Sequence, residues 1–254
     1  MPPEMNGNRR HYLIPDWPAP AGVSAVSTTR VGGGSAHPFD SFNLGFRSGD
    51  DAGAVSRNRT ALIGDLGLLE EPRWLRQVHG ARVVGDDIAE REPEADASVT
   101  SRLGVGCVVL TADCLPVLLS SSDGTRVAAA HAGWRGLAAG VLKTTVDAMR
   151  QPGEGIIAWL GPGIGRRAFE VGGEVRDAFV EWDPGCECCF EPSPAGRWLA
   201  DLKTLAARQL NRLGVTQIYS DCGCTHSEPE RFYSYRRDGV TGRMASLIWI
   251  DRGG

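Results

Sequence analysis

This sequence predicts a single α/β domain of mixed β-sheets flanked by helices, and three observations carry that reading. Thirty-three glycines and 15 prolines cut the 254 residues into many short elements, which does not suit a helix bundle. Apolar runs of strand length alternate with stretches of helical period. Hydrophobic residues make up 42% and charged residues 23% of the chain, enough to bury a sizeable core and unlike collagen-like or disordered compositions.

The elements follow in chain order. Val23–Thr29 alternates apolar and small polar residues as a strand does, and Gly32-Gly33-Gly34-Ser35 after it reads as a loop. Asp50 and Asp51 are candidate caps for a helix reaching Leu66, with Val55, Leu62 and Ile63 inward and Gly67 as its stop. Trp74–Val78 and Arg82–Val84 read as strand segments interrupted at His79-Gly80. Val105–Leu110, Val117–Leu119 and Val127–Ala130 read as buried strands, the last ending at His131. One helix is expected after Gly136, where Leu137, Val141, Leu142, Val146 and Met149 form a stripe. Ile156–Leu160 is a strand, Gly172–Trp182 a helix, and Asp201 caps a helix carrying Leu202, Leu205, Ala206, Leu210 and Leu213 on one face. Gln217–Tyr219 and Ala245–Ile250 are the last strands. Pro184–Arg197 is the one linker-like segment, and with helix and strand signals on both sides of it residues 1–254 read as one catalytic domain.

Composition narrows the partners. Twenty-seven basic against 31 acidic residues give a net charge of −4, which offers no general attraction for a nucleic-acid backbone and favours a small-molecule partner. The longest apolar stretches, Leu103–Ala112 and Gly155–Gly165, are closed by Asp113 and Arg166, short of the ~20 residues that a membrane-spanning helix needs. Glu4, Arg9 and Arg10 stand where a secretory leader would need a continuous apolar stretch, so a cytoplasmic protein is expected. Seven cysteines, an odd number, do not resemble a disulfide framework and are expected to be reduced.

Histidine occurs five times, at 11, 37, 79, 131 and 226. His79 and His131 each end a predicted strand beside a flexible glycine-containing turn, a setting that suits a ligand or base. Between them Thr111-Ala112-Asp113-Cys114-Leu115-Pro116 places a carboxylate and a thiol in apolar surroundings, where a charge needs a reason. Two imidazoles and a thiolate would give Zn²⁺ three protein ligands and leave a fourth position open, the arrangement of a catalytic zinc. Each residue also admits a structural role: Cys114 as a buried thiol, the histidines as loop anchors, Asp113 as an arginine partner. Cys186-Glu187-Cys188-Cys189 lacks a nearby histidine and reads as incidental thiols, and Cys222-Gly223-Cys224 lacks a two-residue spacer. Val31–Ser35 lacks the ending of a phosphate-binding P-loop.

At Arg76-Gln77-Val78-His79-Gly80, Thr111-Ala112-Asp113-Cys114-Leu115-Pro116-Val117 and His131-Ala132-Gly133-Trp134-Arg135-Gly136-Leu137 the sequence resembles the laccase-domain family. These proteins are also called multicopper polyphenol oxidase-like and are regarded as purine nucleoside phosphorylases. Ser41-Phe42-Asn43-Leu44, Asn58-Arg59, Leu160-Gly161-Pro162-Gly163-Ile164, Phe169-Glu170-Val171-Gly172, Phe232-Tyr233-Ser234-Tyr235-Arg236-Arg237-Asp238 and Thr241-Gly242-Arg243 extend the resemblance over most of the chain. The resemblance implies a metal held by His79, Cys114 and His131. It implies phosphorolysis of adenosine, inosine, guanosine and methylthioadenosine, and deamination of adenosine. Arg166-Arg167-Ala168 stands where the family often has two cysteines and a tyrosine, so a cysteine there is not essential.

Five histidines cannot fill the mononuclear and trinuclear copper sites of a multicopper oxidase, so copper-dependent polyphenol oxidation is expected to be secondary to zinc. For phosphorolysis, Arg47, Arg59 and Arg135 are the expected phosphate ligands, because arginine forms bidentate phosphate contacts. Asp113 is the expected proton-transfer residue, provided that a strand end lets it share a site with Cys114. The rival is a metal-free cysteine hydrolase with Cys114 as nucleophile and His79 or His131 as base, and the resemblance also allows a role in editing cell-wall precursors. A structural zinc is disfavoured, since it normally has four protein ligands and only three can be named.

Overall fold

Strands whose two faces are both apolar demand cover on each side, and in the computed structural model, which describes residues 12–149 and 155–251, four layers provide it. The strands are β1 (Tyr12–Leu13), β2 (Val23–Thr28), β3 (Val83–Val84), β4 (Ala97–Thr100), β5 (Cys107–Thr111), β6 (Leu115–Ser121), β7 (Val127–Ala132), β8 (Ile156–Leu160), β9 (Glu170–Val171), β10 (Phe190–Ser193), β11 (Arg197–Ala200), β12 (Gln217–Ser220) and β13 (Met244–Ile250). The helices are α1 (Ala52–Asp65), α2 (Trp134–Ala138), α3 (Val141–Met149), α4 (Gly173–Trp182), α5 (Leu202–Arg212) and α6 (Tyr235–Asp238). A four-stranded sheet runs β1-β2-β13-β5, a six-stranded sheet β12-β8-β6-β7-β4-β3, and a small third sheet β10-β11-β9. Pairing is mixed: β12 with β8 and β3 with β4 are parallel, the others antiparallel.

Period-two alternation sorts the side chains into distinct cores. In β13, Ala245, Leu247 and Trp249 pack with Leu62 and Leu66 of the α1 region, while Ile248 and Ile250 face the second sheet. In β7, Ala128, Ala130 and Ala132 face Val146 of α3 and Leu205 of α5, while Val127 and Ala129 meet Cys107 and Val109 of β5 between the sheets. Alanine on three successive outward positions of β7 lets the helices approach closely. Asp51 caps α1 by accepting from Ala54 N at 2.7 Å, and Asp201 caps α5 by accepting from Thr204 N at 3.0 Å, as their positions before an apolar stripe predict. Among the described residues no helix is long and apolar enough to cross a membrane. Glu4, Arg9, Arg10 and His11 lie outside the described residues.

Four sequence expectations need correction. Trp74–Val78 is not a strand: only isolated bridges form, Arg73 with Cys107 and Arg76 with Glu94. Instead the Gln77 carboxamide satisfies both backbone groups of Leu110, donating to its carbonyl and accepting from its N–H at 2.8 Å each, so a side chain stands in for a ladder. The helix expected after Gly136 is two helices, α2 and α3, separated at Gly140, whose φ of +89° no ordinary side chain adopts easily. Pro184–Arg197 is no linker, for it forms a 3₁₀ turn over Pro184–Cys189 followed by the β10–β11 hairpin, which pairs with β9. Finally, the strand expected to stop before His131 continues to Ala132, so His131 is a strand residue.

Candidate active site

His131 continues the inter-sheet face of β7 and is buried, with 3% of its surface exposed. His79 sits on the turn after the Gln77-anchored segment with φ +62°, a left-handed conformation uncommon for histidine. One carboxylate holds both. Asp96, fully buried ahead of β4, accepts from His131 Nδ1 at 2.8 Å and His79 N at 2.9 Å through Oδ1, and from Gly80 N at 2.7 Å and Val78 N at 3.2 Å through Oδ2. Burial would raise the Asp96 carboxyl, but these hydrogen bonds, that of His131 foremost, hold it below the usual carboxylate range. The bond to His131 Nδ1 leaves that ring's Nε2 for a ligand or substrate.

Cys114 ends the link between β5 and β6, in which Asp113 has φ +94°. Its Sγ lies 3.8 Å from His79 Nε2, and one donor atom from each of His79, Cys114 and His131 falls within 4.8 Å of the others. The imidazole rings meet edge-on with centroids 4.8 Å apart. Gly133 makes this approach possible, because a Cβ there would stand 2.7 Å from Cys114 Sγ. Burial pushes the Cys114 thiol up, but His131 and His79 outweigh it and bring it down to about 6. Burial pushes the His131 imidazole down, but the Cys114 thiolate and Asp96 outweigh it and raise it to about 9. The two imidazoles thus favour the thiolate form of Cys114, and a soft or borderline cation fits among the three donors. Two nitrogens and one thiolate suit zinc or copper, and three protein donors leave a coordination position open.

The triad opens on a cavity of about 570 Å³, within the range of small-molecule sites. Phe46 and Tyr235 lie on its wall with 42% and 61% of their surfaces exposed. Every residue expected from the sequence lines it: His79, Asp113, Cys114, His131, Arg47, Arg59 and Arg135. Their partners differ. Arg59 donates to the Leu44 carbonyl at 2.9 Å and to Glu92 at 3.0 Å, with its guanidinium 3.7 Å from the Trp74 ring centre. Arg47 pairs with the other Glu92 oxygen at 3.5 Å. Arg135 lies over the Trp134 ring, 4.4 Å from its centre, with no ion pair among the described residues. Asp113 accepts from Thr225 Oγ1 at 2.7 Å and Arg236 N at 2.6 Å, tying the β5–β6 link to the segment that carries Tyr235. Because Asp113 and Cys114 lie in a turn, the opposite-face rule for strand neighbours does not separate them.

Sequence reasoning missed Asp96. Asp96 stands just before β4, a strand that Ser98 and Thr100 hide from an apolar pattern, and Glu90, Glu92 and Glu94 just before it make it resemble one more surface acid.

This protein carries a His-Cys-His group that could hold a metal, braced by a buried carboxylate, on an α/β fold of two packed sheets. Its close structural neighbours share that fold: a Neisseria meningitidis protein with a TM-score of 0.90 and 48% identity, covering 94% of this chain and 99% of that one, and YlmD of Geobacillus stearothermophilus with a TM-score of 0.88 and 32% identity, covering 98% and 99%. The chain belongs to the multi-copper polyphenol oxidoreductase laccase family, whose model matches residues 24–251. Its relatives include a purine nucleoside phosphorylase of Pseudomonas aeruginosa, 54% identical over 94% of this chain and 98% of that protein. Another is the purine nucleoside phosphorylase YfiH of Escherichia coli, 50% identical over 94% and 98%.

Proposed function

We propose that this chain is a zinc-dependent purine nucleoside phosphorylase that also deaminates adenosine. The observation that carries the reading is the His79-Cys114-His131 donor set opening onto a cavity walled by arginines and exposed aromatic rings. The names of relatives sharing half or more of their residues support it. When bound, zinc supplies a Lewis acid with an open position and lowers the pKa of a coordinated water to ~7.

The chain's own groups account for the rest. Phe46 and Tyr235 offer flat faces on which a purine stacks. Phosphate approaches on the arginine-lined side, where Arg135 has no competing carboxylate and Arg47 and Arg59 add positive charge balanced by Glu92. A phosphate oxygen bonds to the sugar C1′ as the bond from C1′ to the purine nitrogen breaks, and that nitrogen takes the electron pair and then a proton. Asp113, on the cavity wall beside Cys114, is assigned the relay of that proton, which the hydrogen phosphate gives up. Asp96 keeps the His131 ring fixed throughout.

Chromatography of adenosine and inosine, incubated with metal-quantified protein with and without phosphate, tests the reading. Free base formed only with phosphate, and lost in Cys114→Ala, is the expected result. Inosine formed from adenosine without phosphate isolates the deaminase. Unchanged nucleosides with zinc fully bound would refute the assignment.

One observation favours a second reading: a Cys114 thiol brought down to about 6 beside His79 also describes the nucleophile of a cysteine hydrolase acting on cell-wall precursors. Hydrolysis that survives chelation would select it. Copper-dependent polyphenol oxidation stays secondary, because a single three-donor group is the one metal-binding cluster among the described residues.

A further inference from the structure

Five arginines line the cavity, at 47, 59, 135, 236 and 243, and they are not equally able to receive an anion. Arg47 and Arg59 already share Glu92, so a phosphate there must compete with a carboxylate. Arg236 donates through Nη1 to the Glu170 carbonyl at 2.8 Å and is otherwise exposed. Arg135 is exposed on its own Trp134. Arg243 differs from all of these. It is half-buried, and its Nη1 donates to the carbonyls of Thr241 at 2.8 Å and Gly242 at 2.9 Å.

Those two bonds fix one edge of the guanidinium, while among the described residues Nε and Nη2 meet no protein acceptor and no carboxylate pairs with the group. The stem is confined too. Gly45 packs so closely on it that a Cβ there would lie 2.8 Å from Arg243 Cγ. The backbone is held at both ends, its N–H donating to Asn43 Oδ1 at 2.8 Å and its carbonyl accepting from Leu44 N at 3.1 Å. A planar fork on the cavity wall with Nη1 anchored and its Nε–Nη2 edge free of protein acceptors among the described residues is preorganised for bidentate contact with a tetrahedral oxyanion. Arg243 lines the same cavity as Asp113, Cys114 and the two histidines.

We infer that Arg243 is the principal phosphate-binding residue of the cavity, receiving two oxygens of the anion on its Nε–Nη2 edge and holding the anion beside the His79-Cys114-His131 triad. The inference rests on the phosphorylase reading for its chemistry but not for its test. In that chemistry the held hydrogen phosphate supplies the oxygen that bonds to C1′, the bond to the purine nitrogen breaks, the proton that the phosphate gives up passes to that nitrogen, and the neutral base leaves with ribose 1-phosphate as the other product.

The test uses the metal-loaded protein and two variants, Arg243→Gln and Arg243→Lys, which keep the Cβ and Cγ that pack on Gly45. Thermal melting and metal content establish that each is folded and loaded. Inorganic phosphate binding is measured by calorimetry without nucleoside, and KM is measured separately for phosphate and for inosine. Arg243→Gln is expected to weaken phosphate binding and raise the phosphate KM by about 10- to 100-fold, as loss of a charge-assisted pair of hydrogen bonds implies. Arg243→Lys, which keeps the charge but not the fork, should fall between, and the KM for inosine should stay within about twofold of the parent. A phosphate affinity and KM unchanged in Arg243→Gln would overturn the inference even if turnover fell, for that would make Arg243 a neutralising neighbour of the thiolate. Phosphate binding that is lost in Arg243→Gln while no nucleoside is consumed by the parent protein would uphold the anion site and refute the phosphorylase reading alone. Absence of phosphate binding in the parent would overturn the inference itself.

Discussion

Two turns of this molecule hold four of its seven cysteines, and they behave in opposite ways. The link before β6 holds a single thiol, Cys114, between two imidazoles, and that thiol is brought down to about 6. The 3₁₀ turn before β10 holds three, Cys186, Cys188 and Cys189; there burial pushes Cys189 up to about 12 and the adjacent thiols add to the shift. Burial raises Cys186 as well, with Arg208 only partly offsetting it. In sequence the three-thiol motif is the more conspicuous. In space it is the quieter of the two at Cys186 and Cys189, where burial disfavours the thiolate, whereas two histidines favour it at Cys114.

The largest effect expected from this contrast separates Cys114→Ser from Cys189→Ser. The first should lose stoichiometric metal and lower phosphorolysis by a factor on the order of 10²–10³, the scale of removing a central electrostatic contact. The second should keep both. Metal analysis and steady-state rates on the two proteins decide it, and equal losses would erase the distinction between the turns.

A smaller effect is expected at the carboxylate behind the triad. Asp96→Asn keeps the shape but weakens the hold on His131 Nδ1, so metal affinity should fall by roughly 10- to 100-fold with the ligands intact. Competition with a chromophoric chelator measures this, and an unchanged affinity would mean that the His131 ring is oriented by β7 alone.

How far the site could be read from the sequence follows from what made each residue conspicuous. His79, Cys114 and His131 stand out because ligating side chains interrupt apolar or glycine-rich runs. Asp96 is masked by the acidic residues before it, and its value depends on reaching residues 79 and 131 at once, which only the folded chain reveals. Arg243 was visible as part of a motif, but its free edge depends on which carbonyls take the other one. Most strands of the two large sheets are legible from their apolar runs, but β4 is not, because Ser98 and Thr100 interrupt its apolar residues, and neither is β1, which is two residues long. Trp74–Val78 was misread because periodicity does not show that Gln77 replaces the ladder, and the β10–β11 hairpin because its prolines and glycines look like those of a linker.

The smallest prediction concerns the quiet turn. Asp183 caps it by accepting from Gly185 N and pairs with Arg208 at 2.7 Å and Arg212 at 3.5 Å. Its carboxyl is held below the ordinary range, by the Arg208 bond above all. A depressed folded value means that this stabilisation is complete above the unfolded pKa of ~3.9 and is lost as pH falls through the lower folded value. Denaturation midpoints of the parent and Asp183→Asn should therefore differ near neutral pH and converge in acid. Midpoints that differ equally at all pH values would show that the carboxylate's charge contributes nothing to the turn.

The strand β13 has a consequence for biosynthesis. Among the described residues it is the last strand in chain order, yet it lies between β2 and β5, and Arg243 directly precedes it. On a translating ribosome, β2 and β5 emerge long before the strand that joins them, so the nascent chain carries two unpaired edges and an open cavity until translation of this region is nearly complete. Prematurely terminated products would lack the seam of the sheet together with one wall of the cavity. They would be substrates for quality-control proteases rather than partly active enzymes.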